Sequence, residues 1–255
     1  MRVGEWVLVR FSRDPAHCVR DGDHEWSVGT ALSLLRRVYP NFLDLIRGKS
    51  VLDFGCGFGY QSVALALSGA RYVLGIDLSD DKIGKAKALA EKLGVAERVE
   101  FGRDVPRERL GTFDAVISQN SMEHFPSPDD ELRKMRSAVS RNGAILVTFG
   151  PPWFAPYGSH MQFFTNLPWV NLLFSEDTVM RVRARYRSDG ATRYEEVEGG
   201  LNRMSLAKFE RLVRSCHTRI VYRKYEAVKR MDWLTKVPVA RELLTNHASF
   251  ILSLA

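Results

Sequence analysis

The sequence predicts an α/β protein: a mostly parallel sheet sandwiched between two layers of helices. Three observations predict it. Between residues 50 and 149, short apolar runs alternate with stretches of helical period, as βαβ units do. Glycines and acids gather at the carboxyl ends of the apolar runs, where ligands of such sheets bind. After Gly150 the alternation stops and returns only at Ser205, which marks 150–203 as a segment inserted after the fifth strand.

The elements follow in order. Residues 1–24 are mixed and polar, with turn signals at Asp14-Pro15 and Asp21-Gly22-Asp23. From Glu25 to Ile46, Val28, Ala31, Leu32, Leu35, Val38, Phe42, Leu45 and Ile46 recur at helical spacing. Pro40 breaks or redirects that helix, and Gly48 stops it. Ser50 to Phe54 is a short apolar strand that runs straight into Gly55-Cys56-Gly57-Phe58-Gly59. Tyr60 to Ser68 reads as a helix and Arg71 to Ile76 as a second strand, ending in Asp77. Ser79 is an N-cap, with Asp80 and Asp81 in the first turn of the helix it opens. Strands are expected at 98–101, 113–118 and 144–149, with a helix over 128–140 and a turn at Arg141-Asn142-Gly143. Ser175 and Ser205 each open a further helix, and 219–225 and 247–254 are the last strands, seven in all. The crossovers between parallel strands should be right-handed.

This gives four regions: an N-terminal helical lid over 1–49, a core over 50–149, a cap over 150–203 and a completion of the sheet over 204–255.

Composition narrows the class. A chain of 255 residues with 45% hydrophobic and 26% charged residues buries a core without disulfides or metals. Cys18, Cys56 and Cys216 are far apart, without zinc-like spacing, which favours a reducing, cytoplasmic setting. No apolar run is long enough to span a bilayer, and the N-terminus lacks the pattern of a signal peptide. The net charge of +7 is uneven: residues 1–149 carry 21 Lys and Arg against 20 Asp and Glu, and residues 150–255 carry 16 against 10. Such an excess attracts anionic partners but does not specify nucleic acid.

The glycine loop permits positive φ and close backbone approach to a ligand, and the helix after it offers free N–H groups to an anion. An acid ending the second strand, Asp77, can accept from ribose hydroxyls. Asp104, just past the third strand, can accept from an adenine amino group. The spacing G-x-G-x-G differs from the nicotinamide fingerprint G-x-G-x-x-G. Together with Val73–Ser79, Gly102-Arg103-Asp104, Phe113–Ser118 and Arg141–Ala144, the stretch Val51–Gly59 resembles the class I S-adenosylmethionine-dependent methyltransferases, in order and at normal spacing.

The resemblance implies a three-layer Rossmann-like fold and S-adenosyl-L-methionine as cofactor. It implies that Asp53 and the loop Gly55, Cys56 and Gly57 hold the methionine part. Asp77 would take the ribose, Leu78 would lie beside the adenine, and Asp104 with Val105 would take the adenine. Gln119, Asn120 and Met122 would line the reacting end. The expected activity is methyl transfer to a small or medium-sized acceptor, at oxygen.

A hydroxyl acceptor needs a base. His124, in Ser121-Met122-Glu123-His124, and His160, in Pro156-Tyr157-Gly158-Ser159-His160, are the candidates, with Tyr157 as a substrate hydrogen-bonder. Each also reads as an ordinary structural residue. No third ligand accompanies Glu123-His124, so no metal is expected. The apolar run 163–174 reads as lid or core, with a homodimer surface or a lipid-facing surface as alternatives. Arg181, Arg183, Arg185 and Arg187 read as a solvated helix surface, with an anionic acceptor as the alternative. His24-Glu25-Trp26 could close over the cofactor.

Other readings are RNA or protein methylation and a catalytically silent cofactor-binding protein. No RNA-binding module and no Asn-Pro-Pro-Tyr-type motif is present, since Gln119-Asn120-Ser121-Met122 follows strand four. Nucleic acid is therefore not the expected partner.

Overall fold

A computed structural model describes residues 2–15 and 27–255. Cys18 and the expected His24-Glu25-Trp26 lid lie outside the described residues.

Seven strands form one sheet: β1 (Ser50–Phe54), β2 (Tyr72–Ile76), β3 (Val99–Gly102), β4 (Phe113–Gln119), β5 (Val139–Phe149), β6 (Thr218–Ala227) and β7 (Thr245–Leu254). Their order is β3-β2-β1-β4-β5-β7-β6. The first five pair in parallel, and β7 runs antiparallel between β5 and β6. The order reverses between β1 and β4, so the switch-point crevice opens at their carboxyl ends.

Period-two alternation sends the side chains of β1 to two different cores. Val51 packs with α2 (Val28–Ala31), α3 (Ser33–Val38), α4 (Tyr60–Leu67) and α5 (Asp80–Lys92) on one face. Leu52 and Phe54 pack with α6 (Pro128–Ala138) and α9 (Leu206–Ser215) on the other. The expected caps form: Ser79 Oγ accepts from Lys82 N at 3.4 Å, and Ser205 Oγ from Lys208 N at 3.1 Å.

Three expectations need correction. The helix expected from Glu25 up to the break at Pro40 is also interrupted at Leu32, into α2 and α3, and beyond Pro40 a left-handed Asn41 (φ 51°) opens a 3-10 turn at Phe42–Leu45. The turn at Arg141-Asn142-Gly143 lies inside β5. Phe113 pairs with Val139 and Ala115 already with Ala144, so three extra residues of β5 are taken up at a register shift. The N-terminal region is not one lid. Helix α1 (Val3–Arg10) packs on the cap, with Leu8 fully buried in the cap's own core beside Phe164, Val179 and Met180, whereas α2 and α3 cover the sheet.

The cap carries α7 (Val170–Leu173) and α8 (Glu176–Arg183), the latter capped by Ser175 as expected. Its arginines are not a uniformly solvated face. Arg183 is 4% exposed and forms two 2.6 Å bonds to the Asp189 carboxylate. That guanidinium holds Asp189 down to about 2. Arg181 pairs with Asp177 and Glu5, and Arg187 lies 4.2 Å over the ring of Phe163. Among the described residues no helix is long and apolar enough to cross a membrane.

Candidate active site

A cleft of about 650 Å³ opens at the carboxyl ends of β1, β2, β3 and β4. Its walls include Gly55, Asp77, Leu78, Asp104, Asn120, Ser121, His124 and Phe125. The volume is within the range of cofactor sites.

The glycine loop is shaped by its hydrogen bonds. The amides of Gly55 and Cys56 both donate to Ile76 O at 2.9 Å, which ties the end of β1 to β2. Gly57 N donates to Asp77 Oδ2 at 3.0 Å, and Ser79 N donates to Asp77 Oδ1 at 3.0 Å. Asp77 thus holds the loop while lining the cleft. Gly55 (φ 84°) must be glycine twice over, because a Cβ there would also lie 2.9 Å from Ser121 Oγ. At Gly57 (φ 55°) a Cβ would meet nothing within 4 Å, so its surface faces open space.

Several residues expected at the cofactor are not among the walls of this cleft. Asp53 is 1% exposed and does not line the cleft. It shares a sheet face with Val51 and accepts from Gln61 Nε2 and Ser62 Oγ, both at 2.6 Å, so it anchors α4 to β1. Burial pushes its carboxyl up to about 6. Cys56 is buried against the α4 face, and burial pushes its thiol up. Met122 is fully buried on the opposite face of the sheet, with Val105 packed against the same cluster. Gln119 lies at the end of β4, outside the cleft walls. Leu78, Asp104 and Asn120 do line the cleft.

The two histidines separate. His124 lines the cleft, and its Nδ1 lies 2.8 Å from the carbonyl oxygen of Gly200. A carbonyl can only accept, so Nδ1 carries the hydrogen and the neutral ring keeps its lone pair on Nε2. His160 sits behind it, with ring centroids 5.5 Å apart at 82°, and does not line the cleft. It is left-handed (φ 57°), and burial together with His124 holds it down at about 4. Tyr157 is half-buried outside the cleft walls. Glu123 is 3% exposed, and its Oε1 accepts from Gly150 N at 2.9 Å. Burial pushes its carboxyl up, opposed by the neighbouring His124.

Sequence reasoning missed two organising residues. Asn202, from the end of the cap, donates through Nδ2 to Met122 O and Phe125 O, both at 2.8 Å, and through its backbone N to Glu123 O at 3.0 Å. With Gly200 it clamps the loop that carries His124. His247, on β7, donates through Nε2 to Asn120 Oδ1 at 3.0 Å, and burial keeps it neutral, at about 4. That bond orients the Asn120 side chain, whose left-handed backbone (φ 51°) donates through its N to Thr148 O at 2.9 Å. A lone Asn in a loop and a His in a strand carry no spacing signal that would have singled them out.

A seven-stranded sheet in this order, with a glycine loop after β1 and acids after β2 and β3, defines the class I S-adenosylmethionine-dependent methyltransferases. The family described as "Methyltransferase domain" matches residues 29–214, and the chain belongs to it. A "Ubiquinone biosynthesis O-methyltransferase" from Chromobacterium violaceum is 33% identical over 148 residues, covering 57% of this chain and 63% of that protein. The chain therefore matches less than two thirds of that relative's length. In fold, it is similar to an S-adenosylmethionine-dependent methyltransferase from Mesorhizobium loti (TM-score 0.57, 17% identity, 88% of this chain and 98% of that one). It is also similar to the [4+2]-cyclase SpnF (TM-score 0.58, 15% identity, 94% and 87%). These two likenesses concern the fold alone.

The residues present fit the cofactor of that class. Helix α4 opens at Gly59 with no side-chain cap and no acid in its first turn, so its amides remain available to a carboxylate. Helix α5 offers the contrast: Ser79 and two acids already occupy its start.

Proposed function

We propose that the protein transfers a methyl group from S-adenosylmethionine to an oxygen of a small-molecule acceptor, with His124 as the general base. The observation that carries this reading is the tautomer of His124, fixed by Gly200, on a ring that lines a cofactor-sized cleft. The name of the Chromobacterium violaceum relative supports oxygen as the acceptor atom.

Bound S-adenosylmethionine supplies an electrophilic methyl carbon on a positively charged sulfur. The chain supplies the rest. The amides opening α4 and the backbone at Gly55 hold the methionine end, with the open face of Gly57 on the same loop. Asp77 and Asp104 hold the ribose and adenine, with Leu78 beside the base. His124 Nε2 takes the proton of the acceptor hydroxyl as the oxygen becomes nucleophilic. Ser121 and Phe125 line the same cleft and help exclude water from that proton transfer. His160, held neutral behind His124, keeps a second positive charge away from it. Asn202 is a positioning residue acting through the 122–125 backbone.

The test is formation of S-adenosylhomocysteine from S-adenosylmethionine with a panel of phenols, catechols and sugar alcohols, followed by mass analysis of the methylated product. An O-methylated product supports the reading. Turnover confined to amines or to RNA would replace it.

A further inference from the structure

The segment between β6 and β7 forms a 3-10 helix (Asp232–Lys236) followed by α10 (Pro238–Leu244), and no residue of either is buried. Trp233 is 67% exposed, Val237 53%, Val239 70% and Leu243 36%. Scattered exposed apolar residues are ordinary, but Trp233, Val239 and Leu243 on two adjoining elements, with Val237 at their junction, concentrate exposed apolar surface in one short segment.

The segment is net positive: residues 228–244 carry four Lys and Arg against two Asp and Glu. Both of its acids accept from backbone amides, although Asp232 remains exposed. Asp232 Oδ1 accepts from Ala227 N at 2.7 Å, and Glu242 accepts from Ala207 N at 2.7 Å and Leu206 N at 3.3 Å, which caps α9. Lys229 and Lys236 are exposed, and Arg241 lies 5.2 Å over the ring of Tyr225. An exposed tryptophan and valines interleaved with lysines match the chemistry of an anionic lipid surface. The apolar side chains enter the boundary of the acyl region and the ammonium groups meet the headgroups. A second copy of the chain matches it less well, because a twofold contact would bring the patch's own lysines together.

We propose that residues 228–244 dock the protein peripherally on an anionic bilayer. The segment leaves the sheet between Ala227 and Thr245, the edge at which His247 meets Asn120 beside the cleft. The docked protein thus presents that edge of its sheet to the membrane. The inference is independent of the methyl-transfer reading.

The test is co-sedimentation of the full chain with vesicles of phosphatidylcholine alone and of phosphatidylcholine mixed with phosphatidylglycerol. Wild type should pellet with the mixed vesicles, bind the neutral ones at least tenfold less, and release as salt rises. Trp233→Ser combined with Val239→Ser should lower partitioning at least tenfold, and Lys236→Glu by roughly tenfold. Cofactor binding and far-ultraviolet circular dichroism of these variants should match wild type. Absence of binding to anionic vesicles, equal binding to neutral ones, or undiminished binding by the double variant would overturn the proposal. So would a concentration-dependent dimer in sedimentation velocity that Trp233→Ser dissolves, because the patch would then be a self-association face.

Discussion

His124 Nδ1 and the carbonyl oxygen of Gly200 are 2.8 Å apart, although 76 residues separate them in the chain. The contact joins the loop after β4 to the end of the cap and sets which ring nitrogen can accept a proton. If that nitrogen is the base, His124→Gln lowers kcat by about 10²- to 10⁴-fold. Cofactor affinity, read by calorimetry, changes little. His160→Ala, behind it, lowers kcat less. Steady-state kinetics on both variants separates the two.

Asn202 acts at a distance from the reacting atoms. Asn202→Ala removes both side-chain bonds to the Met122 and Phe125 carbonyls. The expected cost is about 1–3 kcal/mol of stability, read by denaturant titration. Because the clamped loop carries His124, kcat should also fall while the Kd for S-adenosylmethionine stays within a few-fold. A variant with lost stability and unchanged kcat would make Asn202 purely structural.

Asp53 makes a prediction in pH. Its folded-state carboxyl is raised to about 6 from 3.8, so its ionisation opposes folding. The stability it contributes is fully present below the unfolded value and lost as pH rises through about 6. Asp53→Asn does not titrate. The stability difference, variant minus wild type, should therefore grow between about pH 4 and 6 and level off above. Its span should be roughly 3 kcal/mol, on top of a constant cost for the lost acceptor. Thermal melts across that range read it, and a flat difference would contradict the assignment.

The sequence carried the sheet and missed part of what surrounds it, for physical reasons. The strands of 50–149 are short, apolar and bounded by Gly or Asp, so periodicity located them to within a few residues, β5's bulged start apart. Asp77, Leu78, Asp104 and Asn120 stand at strand ends, where position alone brings them to the crevice. Asp53 stands one residue inside β1, where the direction of a side chain decides its role, and that direction is set by α4. The docking of Leu8 into the cap and the bidentate Arg183–Asp189 pair depend on tertiary contacts that no local pattern encodes. Asn202 became visible only once the cap was folded over β4.

The central claim is that this cleft binds S-adenosylmethionine through Asp77 and the loop Asp77 holds. Isothermal titration calorimetry with wild type and Asp77→Ala tests it most directly. The account predicts one site per chain in wild type and binding weakened by about 1–3 kcal/mol, roughly 5- to 150-fold, in the variant. Folded wild-type protein that takes up no S-adenosylmethionine, or an Asp77→Ala variant that binds it equally well, would contradict it.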